Sequence, residues 1–292
     1  MYALAQSKSM PVRCNAMTVD VEDYFQVSAF ERYIVREDWQ RLPHRVEHNT
    51  DRVLALFAEH GVKATFFMLG WIAERYPSLL RRIVDAGHEL ASHGYAHIRV
   101  TQQTPAEFYA DICRSKQLLE DIGGTVVRGY RAASYSIGAA NLWALEVLQR
   151  AGYAYSSSIY PIRHDLYGMP EAPRFAFRPQ GAAELLEVPV TTVEIAGHKL
   201  PCGGGGYFRL LPYALSRWAI RRVNEQDGQA CVFYFHPWEL DPEQPRVPGI
   251  DYKTCFRHYL NLNRMERRLQ ALLGDFQWER MDRVFLSEIT VC

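Results

Sequence analysis

Short apolar runs alternate with helical spacings along this chain, and that alternation constrains the fold more than any other feature. Residues 16–21 read as a strand ending in acids, 64–69 (ATFFML) as a strand buried on both faces, and 88–92 as a third. Further strands are expected at 126–130, 185–193, 230–235 and 284–289. Helical spacing fills the gaps at 49–60, 77–85, 104–121, 141–151, 212–224 and 256–273. Gly61 is placed to end the first helix, and Thr104-Pro105-Ala106-Glu107 combines an N-cap, Pro at the first helical position and a capping-box Glu. Strands separated by whole helices join in parallel, because the helix carries the chain back before the next strand starts. About seven such strands in 292 residues fit a closed or nearly closed β/α barrel, whose chemistry sits at the C-terminal strand ends. A Pro-rich irregular loop is expected at 163–179, and the chain is read as a single domain, 1–292.

A hydrophobic content of 48% supports a sizeable core. Lys+Arg and Asp+Glu balance at 33 each, which argues against a nucleic-acid partner and leaves a neutral glycan as a natural one. Six cysteines (14, 113, 202, 231, 255 and 292) form no CxxC, so they are read as free thiols of a reducing compartment. No run of 18 apolar residues is present and the N-terminus shows no secretory apolar stretch, so a cytoplasmic protein is expected.

Four clusters of chemistry-bearing residues each follow an apolar strand. Ser92-His93-Gly94-Tyr95-Ala96-His97 places two histidines four apart; on a helical turn both imidazoles share one side, which is metal-ligand spacing. Thr18-Val19-Asp20-Val21-Glu22-Asp23 gathers three acids, with Asp20 and Glu22 on one strand face. Such carboxylates repel unless a cation sits among them, and one can then ligate while another serves as base. In Gly129-Tyr130-Arg131-Ala132-Ala133-Ser134-Tyr135, Arg131 can hold a carboxylate ionised. Phe233-Tyr234-Phe235-His236-Pro237-Trp238-Glu239 ends a strand on His236, which can be a core residue or a general acid. Each pattern alone has an ordinary structural reading; their shared strand-end position lifts the combination.

In this order the motifs resemble the NodB-homology polysaccharide deacetylases, carbohydrate esterase family 4: TVDVED (18–23), SHGYAH (92–97), RAASY (131–135) and FYFHPWE (233–239). The connecting text KATFFMLGWIAERYPSLLRRIVDAGHELASHGYAH is similar throughout, and the resemblance covers about residues 16–240. DVEDYFQV, YSSSIYP, PCGGGGYFRLLPY and FHPWELDPEQP are closest to exopolysaccharide deacetylases encoded at PEP-CTERM/exosortase loci, with a branch-specific C-terminal extension from about 163 to 292. The resemblance implies a distorted (β/α) barrel and removal of N-acetyl groups from an exopolysaccharide or its precursor. It implies Asp20 as base, Arg131 orienting it, His236 as acid, and one divalent metal, first Zn²⁺ and then Co²⁺ or Ni²⁺, on His93, His97 and a carboxylate. That carboxylate is Glu22 or Asp23, because Val21 stands where the commonest motif has a second Asp. Ala133 replaces the motif's usual Pro, and Tyr155-Ser156-Ser157-Ser158 occupies the place of the Asp that usually supports the catalytic His. Tyr135, Tyr207 and Trp238 are the candidates for contact with the N-acetylated polysaccharide or oligosaccharide, and Gly203–Gly206 is read as a close approach to glycan or a flexible rim.

Overall fold

The computed structural model describes residues 13–165 and 167–286, and its axis is β1 (Cys14–Val21), buried along its whole length. β1 pairs in parallel with β2 (Thr65–Met68), and the sheet continues through β3 (Glu89–Ser92), β4 (Gly129–Tyr130), β5 (Tyr155–Ser156) and β6 (Leu186–Glu187). A hairpin of β7 (Thr192–Ile195) and β8 (His198–Pro201) stands apart, while β9 (Val232–Phe235) and β10 (Gln277–Glu279) return to β1. The result is a curled eight-stranded parallel sheet. Between β6 and β9 loop residues bridge the gap: Val232 N donates to the Thr191 side-chain Oγ1 at 2.6 Å, and Tyr234 N to the Gly203 carbonyl at 2.8 Å.

The period of two along a strand sorts side chains to the two faces of this sheet. Met17, Val19 and Val21 of β1, Phe66 and Met68 of β2, and Phe233 and Phe235 of β9 point outward into the apolar layer under the helices. Ala16, Phe67, Ala91, Tyr155, Val188 and Val232 fill the interior, closed by Met281. The same alternation carries Asp20, Glu22, His93 and His236 inward at the C-terminal strand ends. The outer layer includes α1 (Val46–Glu59), α2 (Gly70–Arg75), α3 (Pro77–Asp85), α4 (Pro105–Gly123), α5 (Trp143–Arg150), α6 (Gly205–Leu210), α7 (Tyr213–Arg222), α8 (Tyr252–Tyr259) and α9 (Leu262–Asp275). At α4 the expected capping box forms: Glu107 N donates to Thr104 Oγ1, and Thr104 N to the Glu107 carboxylate.

Several sequence expectations are corrected. The helix at 256–273 is two helices, broken at Asn261, whose φ of 52° no α-helix accommodates. Val284 and Phe285, expected to open a strand, lie in α10 (Met281–Phe285), and the rest of 284–289 lies outside the described residues beyond Leu286. The returning strand is β10 instead, too short to stand out as an apolar run. Cys14 is disulfide-bonded, whereas Cys113, Cys202, Cys231 and Cys255 are free. The reading of six free thiols fails at Cys14, and with it one ground for a reducing compartment. No cysteine stands within ninety residues of Cys14, so spacing gave no sign of the bridge.

Candidate active site

A cleft of about 590 Å³ opens over the C-terminal strand ends, with Asp20, Glu22, His93, His97, Tyr135, His236 and Trp238 among its lining residues. At its floor the Nε2 atoms of His93 and His97 each lie 2.9 Å from Glu22 Oε1. All three residues are buried, and their ligand atoms lie within 4.8 Å of one another. The histidines do not share a helical turn, as their spacing suggested. They meet through a tight loop in which Gly94 (φ 75°) and His97 (φ 50°) are left-handed. Arg36 holds that loop by donating to the Ala96 and His97 carbonyls at 2.9 and 3.1 Å. Backbone strain at a non-glycine residue of this kind persists only where surrounding contacts enforce it.

The donor set fits a divalent ion. His93 Nδ1 donates to the Arg131 carbonyl at 2.8 Å, which turns the lone pair of Nε2 toward Glu22. Glu22 Oε2 and His97 Nδ1 are buried and find no hydrogen-bond partner among the described residues. Burial pushes Glu22 toward protonation, but the imidazoles of His97, His236 and His93 outweigh it and hold the carboxyl well below its usual range. A carboxylate and two imidazoles are a recurrent ligand set for zinc. Asp23 is elsewhere: its Oδ2 accepts from the backbone N–H groups of Arg45 and Val46 at 2.7 and 3.0 Å, at the start of α1, and Oδ1 from Tyr24 N. Burial raises its carboxyl to about 6 despite those bonds. Glu22→Gln is therefore expected to lower metal content. Asp23→Asn should keep the metal and cost about 1–3 kcal/mol of stability, the range for unpairing buried donors. Metal analysis and thermal melting of the two variants check this; a metal-free Asp23→Asn would reverse the assignment.

Beside the triad, Asp20 Oδ1 accepts from Arg131 Nη1 at 2.6 Å. Arg131 is fully buried; burial disfavours its charge, and the Asp20 carboxylate beside it more than offsets that cost. Its remaining donors reach Thr18 Oγ1 and both the carbonyl and the hydroxyl of Ser157. Ser157 lies in the run Tyr155-Ser156-Ser157-Ser158, so that stretch holds the arginine. The Tyr135 hydroxyl reaches Asp20 Oδ2 at 3.4 Å, and Ser134 and Tyr135 are both left-handed (φ 52° and 50°). Tyr135 N donates to the Ala132 carbonyl at 3.0 Å, so this N–H is not turned to the cleft as an oxyanion donor.

His236 Nε2 faces the triad, 3.9 Å from Glu22 Oε1. Its Nδ1 lies 2.9 Å from Glu239 Oε1, and Glu239 Oε2 in turn accepts from Arg209 Nε at 2.7 Å. Burial disfavours the charged ring, but Glu22 and then Glu239 outweigh it and push His236 up to about 9. Sequence reasoning missed Glu239 and Arg209. The available signal was His236-Pro237-Trp238-Glu239 itself, an N-cap, Pro and third-position Glu that read as a capping box.

The other expectations divide. Trp238 lines the cleft and stacks between His236 and His258, with ring centroids 5.1 and 4.2 Å away, so it braces the histidine. Tyr135 lines the cleft in a cluster with Tyr160 and Tyr234. Tyr207 is half-buried on α6 and is not among the residues that line this cleft. The four-glycine run is a close approach to protein, not a rim. A Cβ on Gly203 would meet the Val232 carbonyl at 2.4 Å, on Gly204 the Tyr234 ring at 2.6 Å, and on Gly205 the Glu239 carboxylate at 2.3 Å; on Gly206 it would meet nothing within 4 Å. Gly205→Ala is thus expected to displace Glu239 from His236 and cost at least about tenfold in turnover, a fraction of what a positioned acid supplies, while Gly206→Ala stays near wild type. Equal activity of the two variants would contradict this packing.

Residues 38–156 match the polysaccharide deacetylase family model, and 157–286 match a domain of unknown function (DUF3473). A peptidoglycan deacetylase of Helicobacter pylori is 32% identical over 108 residues, 37% of this chain and 36% of that protein. A chitooligosaccharide deacetylase of a Bradyrhizobium species is 28% identical over 111 residues, 38% of this chain and 48% of that protein. The chain thus spans about half or less of the length of these curated relatives. The crystal structure of a Mycobacterium smegmatis protein described as a polysaccharide deacetylase superposes with a TM-score of 0.62 at 19% identity, covering 94% of this chain and 91% of that one. A CE4 family pseudoenzyme of Bacillus anthracis gives 0.52 at 13% identity, covering 96% and 68%. These likenesses show the fold.

Proposed function

We propose, from the match of residues 38–156 to the polysaccharide deacetylase family model and from the cleft itself, that this chain is a metal-dependent hydrolase that removes N-acetyl groups from sugar residues of a polysaccharide or oligosaccharide. The observation that carries the reading is the convergence in one cleft of a Glu22–His93–His97 triad, an arginine-held Asp20 and a carboxylate-braced His236. A glycan-binding barrel needs no such set. The pseudoenzyme relative shows that the fold alone does not decide activity, so the weight rests on these side chains. The finer substrate, an exopolysaccharide or its precursor, follows from the motif resemblance.

A divalent ion on the triad, Zn²⁺ first and Co²⁺ or Ni²⁺ as alternatives, supplies a Lewis-acid centre for a carbonyl and for water. The protein's own residues do the rest. Asp20, paired with and aimed by Arg131, accepts the proton of the attacking water. Glu239 fixes His236 with Nδ1–H toward its carboxylate, so the second proton of the charged ring sits on Nε2 at the cleft. That proton passes to the amide nitrogen as its bond to the acetyl carbon breaks, giving acetate and a free amino sugar. Tyr135 and Trp238 wall the space where the acetyl group and its sugar sit.

We read the chain as one catalytic domain, because the segments on either side of residue 157 contribute strands to one sheet and side chains to one cleft. No helix among the described residues is long and apolar enough to cross a membrane. Acetate release from chito-oligosaccharides, run beside small cyclic amides and with chelator, tests the reading. Chelator-sensitive release from the sugars alone supports it; turnover of the cyclic amides alone, or of neither, overturns it.

A further inference from the structure

The face of the molecule built by α6, α7, α9 and the β7–β8 hairpin takes no part in the cleft, and its composition is unlike the rest of the surface. Leu210, Leu215 and Trp218 are 47%, 49% and 44% exposed there. Ile195 and Leu200 are exposed on the hairpin, whose first strand packs on α7. These are five of the ten large apolar side chains exposed among the described residues, gathered within 24 positions of the chain. Scattered exposed apolar residues need no explanation, whereas a cluster of this kind marks a surface that is covered in use.

The charges around it say by what. α7 carries Arg217, Arg221 and Arg222 and no acid, its helical continuation Val223–Asp227 adds Glu225 and an Asp227 already held by Arg174 at 2.8 Å, and α9, packed beside α7, adds Arg264, Arg267 and Arg268. Two of the six have internal duties: Arg217 pairs with Asp275 at 3.0 Å, and Arg268 donates to the Phe208, Arg209 and Leu211 carbonyls at the end of α6. Arg221, Arg222, Arg264 and Arg267 make no salt bridge among the described residues, and the one acid between the last two, Glu266, is engaged by Arg52 at 2.6 Å. In a chain with 33 basic and 33 acidic residues this is a marked local excess. A second copy of the chain docked about a two-fold axis would bring these arginines against themselves. A leucine and tryptophan ridge flanked by uncompensated arginines matches the interface of an anionic bilayer, where the ridge enters the acyl boundary and the guanidinium groups meet lipid phosphates.

We propose that this face seats the protein on an anionic lipid membrane, with Leu215 and Trp218 inserted at the headgroup level and Arg221, Arg222, Arg264 and Arg267 on the phosphates. The proposal is independent of the chemistry assigned to the cleft.

The test is flotation of the full chain with vesicles of mixed phosphatidylglycerol and phosphatidylcholine, against phosphatidylcholine alone. Binding is expected only to the mixed vesicles and to weaken with salt. An arginine near an anionic leaflet contributes about fivefold in binding, so Arg221→Glu with Arg222→Glu should lose about 25-fold or more. Leu215→Ser with Trp218→Ser should also release the protein, whereas Arg81→Glu with Arg128→Glu, an equal charge change at exposed sites elsewhere, should not. Thermal melting and acetate release from a soluble chito-oligosaccharide verify that each variant is folded. Four results overturn the proposal: no binding to the mixed vesicles; binding untouched by the Leu215 and Trp218 changes, which marks polyanion attraction only; equal loss in the control pair; or patch variants that merely turn a dimer into a monomer.

Discussion

Asp20→Asn is expected to lower deacetylation about 10²–10⁴-fold per folded molecule, the usual contribution of a positioned base, while the protein still takes up its metal. Asn keeps the shape of Asp20 but cannot accept the proton of the attacking water. The triad is left intact because Asp20 bonds to Arg131 and Tyr135, not to Glu22, His93 or His97. The substitution has a second consequence. Arg131 is fully buried and Asp20 is its salt-bridge partner, so the variant leaves a guanidinium charge without its counterion. Breaking such a pair costs on the order of 3–5 kcal/mol. A lower melting temperature is therefore part of the expected result, and activity must be normalised to folded, metal-loaded protein. Normal turnover on that basis would remove Asp20 from the chemistry.

His236→Ala should lose a comparable factor, about 10²–10⁴, with a pH signature that the base variant lacks. As the acid, His236 works only when protonated. With its ring pushed up to about 9, activity is available below that value and falls as the pH rises through it. A divalent ion beside Glu22 offsets that residue's share of the shift, so the alkaline limb of the metal-loaded protein belongs below 9, held up mainly by Glu239. Glu239→Gln removes the charge bonded to Nδ1, leaving Asp20 as the more distant one, and should move the limb to lower pH by about 1–3 units. Arg209 then loses its buried partner, so melting is again the control. An acetyl ester, whose alkoxide leaves more easily than an amine, should suffer less from His236→Ala than the amide. Equal losses on ester and amide, or an alkaline limb that Glu239→Gln leaves in place, would remove the acid assignment.

The sequence made the strand ends legible because one physical rule governs both levels. A strand buried on its outer face by helices must be apolar at every second position, so polar residues at the alternate positions point into the barrel. Asp20, Glu22, His93 and His236 all obey that parity. The choice between Glu22 and Asp23 was not legible, since it turns on where the chain leaves β1 and which carboxylate the start of α1 claims. Strands of two residues such as β4 and β5 leave too little pattern to bound, and Val126, expected in β4, is exposed. Glu239 was hidden by its dual use: three residues after His236 it reads as an ordinary helix cap, and only Arg209, arriving from α6, reveals the charge relay. The glycine run was misread for the same reason. Its partners, the Val232 carbonyl and the Tyr234 ring of β9 and the Glu239 carboxylate of the turn after it, come from about thirty residues on.

The central claim is that this cleft hydrolyses an acetamide on a sugar. The most direct measurement is mass spectrometry of a chito-oligosaccharide incubated with zinc-loaded protein in water enriched in heavy oxygen. The account predicts acetate carrying one heavy oxygen and a sugar chain of unchanged length bearing a free amine, with both products reduced about 10²–10⁴-fold in the Asp20→Asn reaction. An untouched oligosaccharide, a cleaved glycosidic bond, or equal acetate from the Asp20→Asn protein would contradict it.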